Sequence, residues 1–110
     1  MKTRLYLILL ALAERDSHGL AVAREVLRLS EGRVRLWPAS LYGSLDELLE
    51  RGWVEELDSE RLRPANESEK KRFFRLTRTG HRALAAETDR LASLVRTARA
   101  RIKPRTGAAS

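Results

Sequence analysis

The sequence predicts an α+β fold, and three features carry the prediction. Apolar residues recur at helical spacing in three short runs before residue 53, two strand-like segments then flank a polar loop, and a longer helical run follows.

The first run, Leu5, Leu7, Ile8, Leu9, Leu10 and Leu12, is apolar nearly all round. A surface helix of one small domain keeps a polar face, so this helix must be covered on both sides, by its own core and by a second subunit. The basic start Met1–Arg4 and the small residues Ala11 and Ala13 imitate a signal peptide. At 13 residues the segment falls short of the usual length of about 15–30, and a buried helix is the expectation.

Asp16-Ser17-His18-Gly19 supplies a turn in which Asp16 or Ser17 can cap a second helix. Leu20, Ala23, Val26 and Leu27 give that helix its apolar face, and Ser30-Glu31-Gly32 ends it. Residues 33–36 read as a short extended piece. Pro38 suits the first turn of a third helix, where its missing N–H has no intrahelical partner anyway. Leu41, Leu45, Leu48 and Leu49 form the apolar stripe and Gly52 ends the helix. Ala39, Ser40, Gly43, Ser44 and Glu47 fall on its other face. Three short helices with tight connections, the third small and polar at its start, are the layout of a helix-turn-helix.

Residues 53–57 and 72–76 read as two strands around the loop 58–71. Phe74 and Leu76 share a face and should enter the core, which leaves Phe73 beside Arg72 and Arg75. Thr77 can cap a fourth, long helix, whose positions Leu84, Thr88, Leu91, Val95, Ala98 and Ile102 follow spacings of 4, 3, 4, 3 and 4. That is a heptad seam too short to pair alone, so Leu5, Ile8 and Leu9 of a partner's first helix are expected to join it in a homodimer. The whole is an α+β winged helix-turn-helix with a long C-terminal dimerisation helix.

The chain has 110 residues, with 22 Lys and Arg against 15 Asp and Glu, and a formal charge of +7. That length allows one small domain and a long helix around a single core. Without cysteine there is no disulfide, thiolate metal site, iron–sulfur cluster or cysteine nucleophile, which fits a reducing compartment. The basic balance points to a polyanionic partner, nucleic acid or an acidic membrane surface. Its placement sharpens the point: six basic residues and no acid lie within 70–82, and five with no acid lie within 96–110. No Trp or Phe in residues 84–110 could anchor a membrane-surface helix, so no membrane partner is expected.

An ordered set of motifs runs through the chain: His18-Gly19, Pro38-Ala39-Ser40-Leu41-Tyr42, Leu45-x-x-Leu48, Gly52-Trp53-Val54 and Arg72-Phe73-Phe74-Arg75-Leu76-Thr77-x-x-Gly80. Together they resemble the PadR-type bacterial transcriptional regulators, over roughly residues 5–82. The resemblance implies a cytoplasmic dimeric repressor that binds operator DNA and releases it when a small effector binds. It divides the chain into a winged-helix DNA-binding domain (1–76), a C-terminal dimerisation helix (77–103) and a flexible tail of basic and small residues (104–110). Leu20 stands where a tyrosine is common, Ala39 where glycine is common, and Phe73-Phe74 where two tyrosines are usual. Packing survives these changes, and the hydroxyl hydrogen bonds do not.

The candidate sites follow. A recognition helix enters the major groove of double-stranded DNA by its N-terminal residues, where small side chains permit close approach and free N–H groups favour phosphate. Ala39, Ser40, Tyr42, Gly43 and Ser44 fit that role. Lys70, Lys71, Arg72 and Arg75, at the base of the wing, are the expected phosphate contacts. Lys2 and Arg4 are secondary candidates. The basic cluster from Arg96 to Arg105 fits the carboxyl end of a helix or its solvated face better than a DNA contact. Trp37 and Trp53 flank the third helix and are candidates for a small-effector pocket, although such tryptophans more often pack in a core or hinge. His18 shapes its turn and His81 is exposed; neither has a ligand partner at metal spacing, and no cofactor is expected. No nucleophile elbow, phosphate-binding glycine loop or paired-carboxylate motif is present, so catalysis is not expected. The competing reading is a winged-helix interaction module that binds a partner protein or acidic surface without sequence-specific DNA recognition.

Overall fold

A computed structural model describes residues 1–57 and 72–102. The elements are α1 (Thr3–Glu14), β1 (Ser17–His18), α2 (Gly19–Leu29), α3 (Pro38–Glu50), β2 (Val54–Leu57), β3 (Phe73–Leu76) and α4 (Arg78–Arg101). The three strands form one antiparallel sheet in the order β1-β3-β2, with Ser17 opposite Phe74 and Val54 opposite Leu76. Three helices against such a sheet are the architecture of a winged helix, and α4 follows it. The loop tip and Lys70 and Lys71, together with residues 103–110, lie outside the described residues.

The third strand is β1, where the sequence reading saw a turn. Two residues are too few for an alternation pattern to declare a strand. The segment 33–36, read as extended, joins no strand. The cap of α2 also differs from expectation. His18 takes the position: its Nδ1 accepts a hydrogen bond from the Ala21 N–H at 3.3 Å, while the Ser17 hydroxyl donates to the Arg15 carbonyl. The His18 ring meets Phe73 edge to face, with centroids 5.6 Å apart. Phe74 is completely buried, as its face of the strand required, whereas Leu76 is half-buried.

The core corrects the expected dimer seam. Leu5, Ile8 and Leu9 are at most 1% exposed within a single chain, and Leu84 is buried against them. Helix α1 packs against α2, α3, β3 and α4 of its own chain. Those four side chains are therefore buried within one chain, whereas Leu7 and Leu10 of α1 are only partly buried.

The start of α4 is fixed to the α3–β2 turn. Thr77 caps α4 by accepting from the Gly80 N–H at 3.0 Å; its hydroxyl donates to the Gly52 carbonyl at 2.6 Å, and its N–H donates to the Trp53 carbonyl. Gly52 turns the chain at φ +74°, a left-handed conformation that favours glycine. At Gly80 a β-carbon would collide with the Trp53 carbonyl, so the Leu76-Thr77-x-x-Gly80 run is a docking joint.

Candidate nucleic-acid interface

Helix α3 opens at Trp37, which provides no side-chain cap, and Pro38 occupies the first turn. The N–H groups of Ala39 and Ser40 thus start the helix with no intrahelical acceptor, at the positive end of its dipole. Pro38, Ala39, Ser40 and Gly43 are all exposed, so backbone and small side chains are presented together. Of the expected recognition residues, Ala39, Ser40 and Gly43 lie on one accessible surface.

Two expected residues are placed differently. Ser44 is 2% exposed, and its hydroxyl accepts a hydrogen bond from Arg4 Nε at 3.0 Å. It joins α3 to α1 and cannot reach an outside partner. Tyr42 is half-buried. Its ring lies against Gly19, where a β-carbon would stand 2.6 Å from the phenolic oxygen, and Arg72 sits over its face at 5.3 Å.

Two adjacent hollows flank the first turn of α3 and share Arg35 and Leu36. One, of about 500 Å³, is bordered by Arg4, Arg33 and Arg35 around Ala39, Ser40 and Gly43. The other, of about 470 Å³, has Leu20, Leu27, Trp37, Pro38, Leu41 and Tyr42 in its walls and Arg24 and Arg35 among its lining. Among the described residues no carboxylate lines either. Among the described residues no acid lies within ion-pair distance of Arg24, Arg33 or Arg35, and Arg35 packs over the Trp37 ring at 5.5 Å. The sequence reading passed over Arg33 and Arg35. A signal was available: residues 32–45 hold two arginines and no acid, directly before and into α3.

The wing base is less free than its composition suggested. Arg75 pairs with Glu55, its partner across the β2–β3 ladder. Arg72 donates to both oxygens of Glu56, at 2.9 and 3.1 Å, approaches Asp46 at 3.8 Å, and lies between the rings of Tyr42 and Phe74. Hydrogen bonding by Arg72 holds the Glu56 carboxyl below the usual carboxylate range, and Glu56 raises the guanidinium in turn. Both arginines are thus engaged within the fold, Arg75 along the sheet and Arg72 between the sheet and α3.

Trp37 and Trp53 do not share a pocket. Trp37 is 64% exposed and lines the apolar hollow; Trp53 is half-buried beneath Arg51 at 5.0 Å and does not line it. Among the described residues no group of three His, Asp or Glu is placed to hold a metal ion, and no helix is long and apolar enough to cross a membrane.

Along α4, Tyr6 and Thr88 hydroxyls meet at 2.7 Å and the α-amino group of Met1 approaches Glu87 at 3.6 Å, which ties the first turns to α1. Beyond them Leu91 is half-buried, whereas Leu94, Val95 and Ile102 are 52%, 49% and 77% exposed and Ala98 is exposed too. The seam left open is therefore the distal half, and it includes Leu94, which the heptad register omitted.

The family model of the PadR-like transcriptional regulators matches residues 8–86. No curated protein matches the sequence. Among solved structures, a transcriptional regulator from Clostridium thermocellum superposes with a TM-score of 0.72 at 16% identity, covering 91% of this chain and 90% of that one. A PadR family transcription regulator from Clostridium difficile gives 0.72 at 15% identity, over 87% and 94%. PadR of Bacillus subtilis, solved in complex with operator DNA, gives 0.66 at 16% identity, over 79% of this chain and 47% of that one.

Proposed function

Because the chain belongs to the PadR-like family of transcriptional regulators, we propose that it binds double-stranded DNA sequence-specifically, as a homodimer on a pseudo-palindromic operator. One observation carries the reading. The uncapped, exposed start of α3 lies between two hollows that, among the described residues, hold four arginines and no carboxylate. Such a surface is complementary to a polyanion, and its small residues let the helix backbone approach base edges.

In this reading Ala39, Ser40 and Gly43 enter the major groove, with Tyr42 held at its margin by Gly19 and Arg72. Arg4, Arg33 and Arg35 meet the flanking phosphates, aided by the free N–H groups of the first turn. Arg72 and Arg75 brace the wing base, and Lys70 and Lys71 add charge beyond it. The repressor role, action in the cytoplasm and release by a small effector are supported by the family resemblance alone.

Six phosphate contacts, three arginines from each protomer, give a salt dependence of binding with a logarithmic slope of about −5. Fluorescence anisotropy on a duplex selected from a random library, repeated across salt concentrations, measures it. A slope near zero would overturn the electrostatic assignment. Salt-sensitive binding with no enriched inverted repeat would instead favour an interaction module without sequence reading.

A further inference from the structure

The second hollow beside α3 contains a feature that phosphate binding does not use. Leu20, 55% exposed, and Trp37, 64% exposed, border one concavity whose walls are otherwise Leu27, Pro38, Leu41 and Tyr42. Single exposed apolar residues are ordinary on a protein surface, but a contiguous concave apolar patch marks a contact surface. Its polar lining is equally specific: among the described residues Arg24 and Arg35 stand there, and no carboxylate does. The occupant must therefore combine an apolar group with anionic ones.

We propose that this hollow reads thymine, with Leu20 and Trp37 packing on C5-methyl groups of the operator while Arg24 and Arg35 hold the adjoining phosphates. The inference rests on the DNA-binding reading given above and specifies its base chemistry. The thymine methyl is the one apolar group on a base edge in the major groove, and it lies between two rows of phosphates, which matches a lining that is apolar apart from two arginines. Position supplies the second argument. Trp37 and Pro38 lead directly into Ala39 and Ser40, so when those residues face base edges the hollow faces the neighbouring base pairs. Leu20 reaches the same place from α2, because Gly19 lets the start of that helix close onto Tyr42. A neutral apolar peptide would leave Arg24 and Arg35 without an anionic partner, whereas a thymine methyl arrives with phosphates of its own strand.

Deoxyuridine tests this directly, because it differs from thymidine only by that methyl group. The duplex selected from a random library is resynthesised with each thymine of a half-site replaced singly. At one or two thymines beside the Ser40 contact, binding should weaken about four-fold, the equivalent of about 0.8 kcal/mol for one buried methyl-sized group. In Leu20→Ala or Trp37→Ala the thymine-to-uracil difference at those positions should vanish; in Leu20→Ala affinity for the uracil duplex should stay within about two-fold of the unmodified protein, whereas Trp37→Ala also removes the ring under Arg35 and lowers affinity for both duplexes alike. Both side chains are more than half exposed, and unchanged circular dichroism and melting establish that the variants fold. In a Trp53→Phe background, Trp37 fluorescence should also change on binding. The inference is overturned if no thymine is sensitive, or if the sensitive thymines keep their full sensitivity in both variants. Either result on an enriched inverted repeat leaves sequence-specific binding intact. Failure to enrich any repeat removes the DNA-binding reading and this inference together.

Discussion

Ser40 and Ser44 stand one helical turn apart on α3, and the fold gives them separate work. Ser40 is exposed at the helix start, whereas Ser44 is buried and accepts the Arg4 Nε–H. Replacing Ser44 with alanine removes that acceptor and should cost about 1 kcal/mol of stability, read by urea denaturation, with no change in the preferred DNA sequence. Ser40→Ala should do the reverse, changing the selected sequence at constant stability. If both variants altered only stability, α3 would not be the reading element. Helical spacing put the two serines on one face because residues four apart nearly eclipse. It could not show that Arg4, forty residues away in the chain, arrives over the second of them. The arginines tell the same story: their number is plain in the sequence, but Arg72 and Arg75 are engaged by Glu56 and Glu55 only once β2 and β3 pair.

Long periodic elements were legible and short or junctional ones less so. Helices α1, α2, α3 and α4 each repeat an apolar pattern over several turns, and β3 alternates strongly enough to bury Phe74. β1 has two residues and takes its identity from pairing with Phe73 and Phe74, which no local pattern encodes. The joint before α4 is another such case. Thr77 was recognisable as a cap, but the role of Gly80 depends on the Trp53 carbonyl arriving against it. Gly80→Ala places a methyl group into that carbonyl, and the backbones on both sides are held by Thr77. The substitution should cost about 2–3 kcal/mol, as overpacking a close contact does, and lower the urea midpoint accordingly. A midpoint unchanged by G80A would mean that α4 is free to shift away from the α3–β2 turn.

At the scale of the whole molecule, α4 is the part that a single chain leaves unfinished. The molecule extends 68 Å along its longest axis and 27 Å across the next, because α4 continues past its contacts with α1. A helix of its length, 24 residues, spans about 36 Å, and a segment without tertiary cover is marginally stable in water. Leu91, Leu94, Val95 and Ile102 nevertheless fall along one side of that distal half, too apolar for a solvated helix. A second copy packing there would bury the stripe, and it would do so without the already filled Leu5, Ile8 and Leu9. It would also set two recognition helices about one turn of DNA, roughly 34 Å, apart. Val95→Asp places a charge in this surface without touching the core, since Val95 is half exposed in the single chain. The variant should keep its circular dichroism from the winged-helix body while light scattering reports half the mass. Its DNA selection should then enrich a single half-site instead of an inverted repeat, with weaker binding because only one recognition helix engages each molecule. A Val95→Asp protein that remains dimeric and keeps the repeat would place the interface elsewhere.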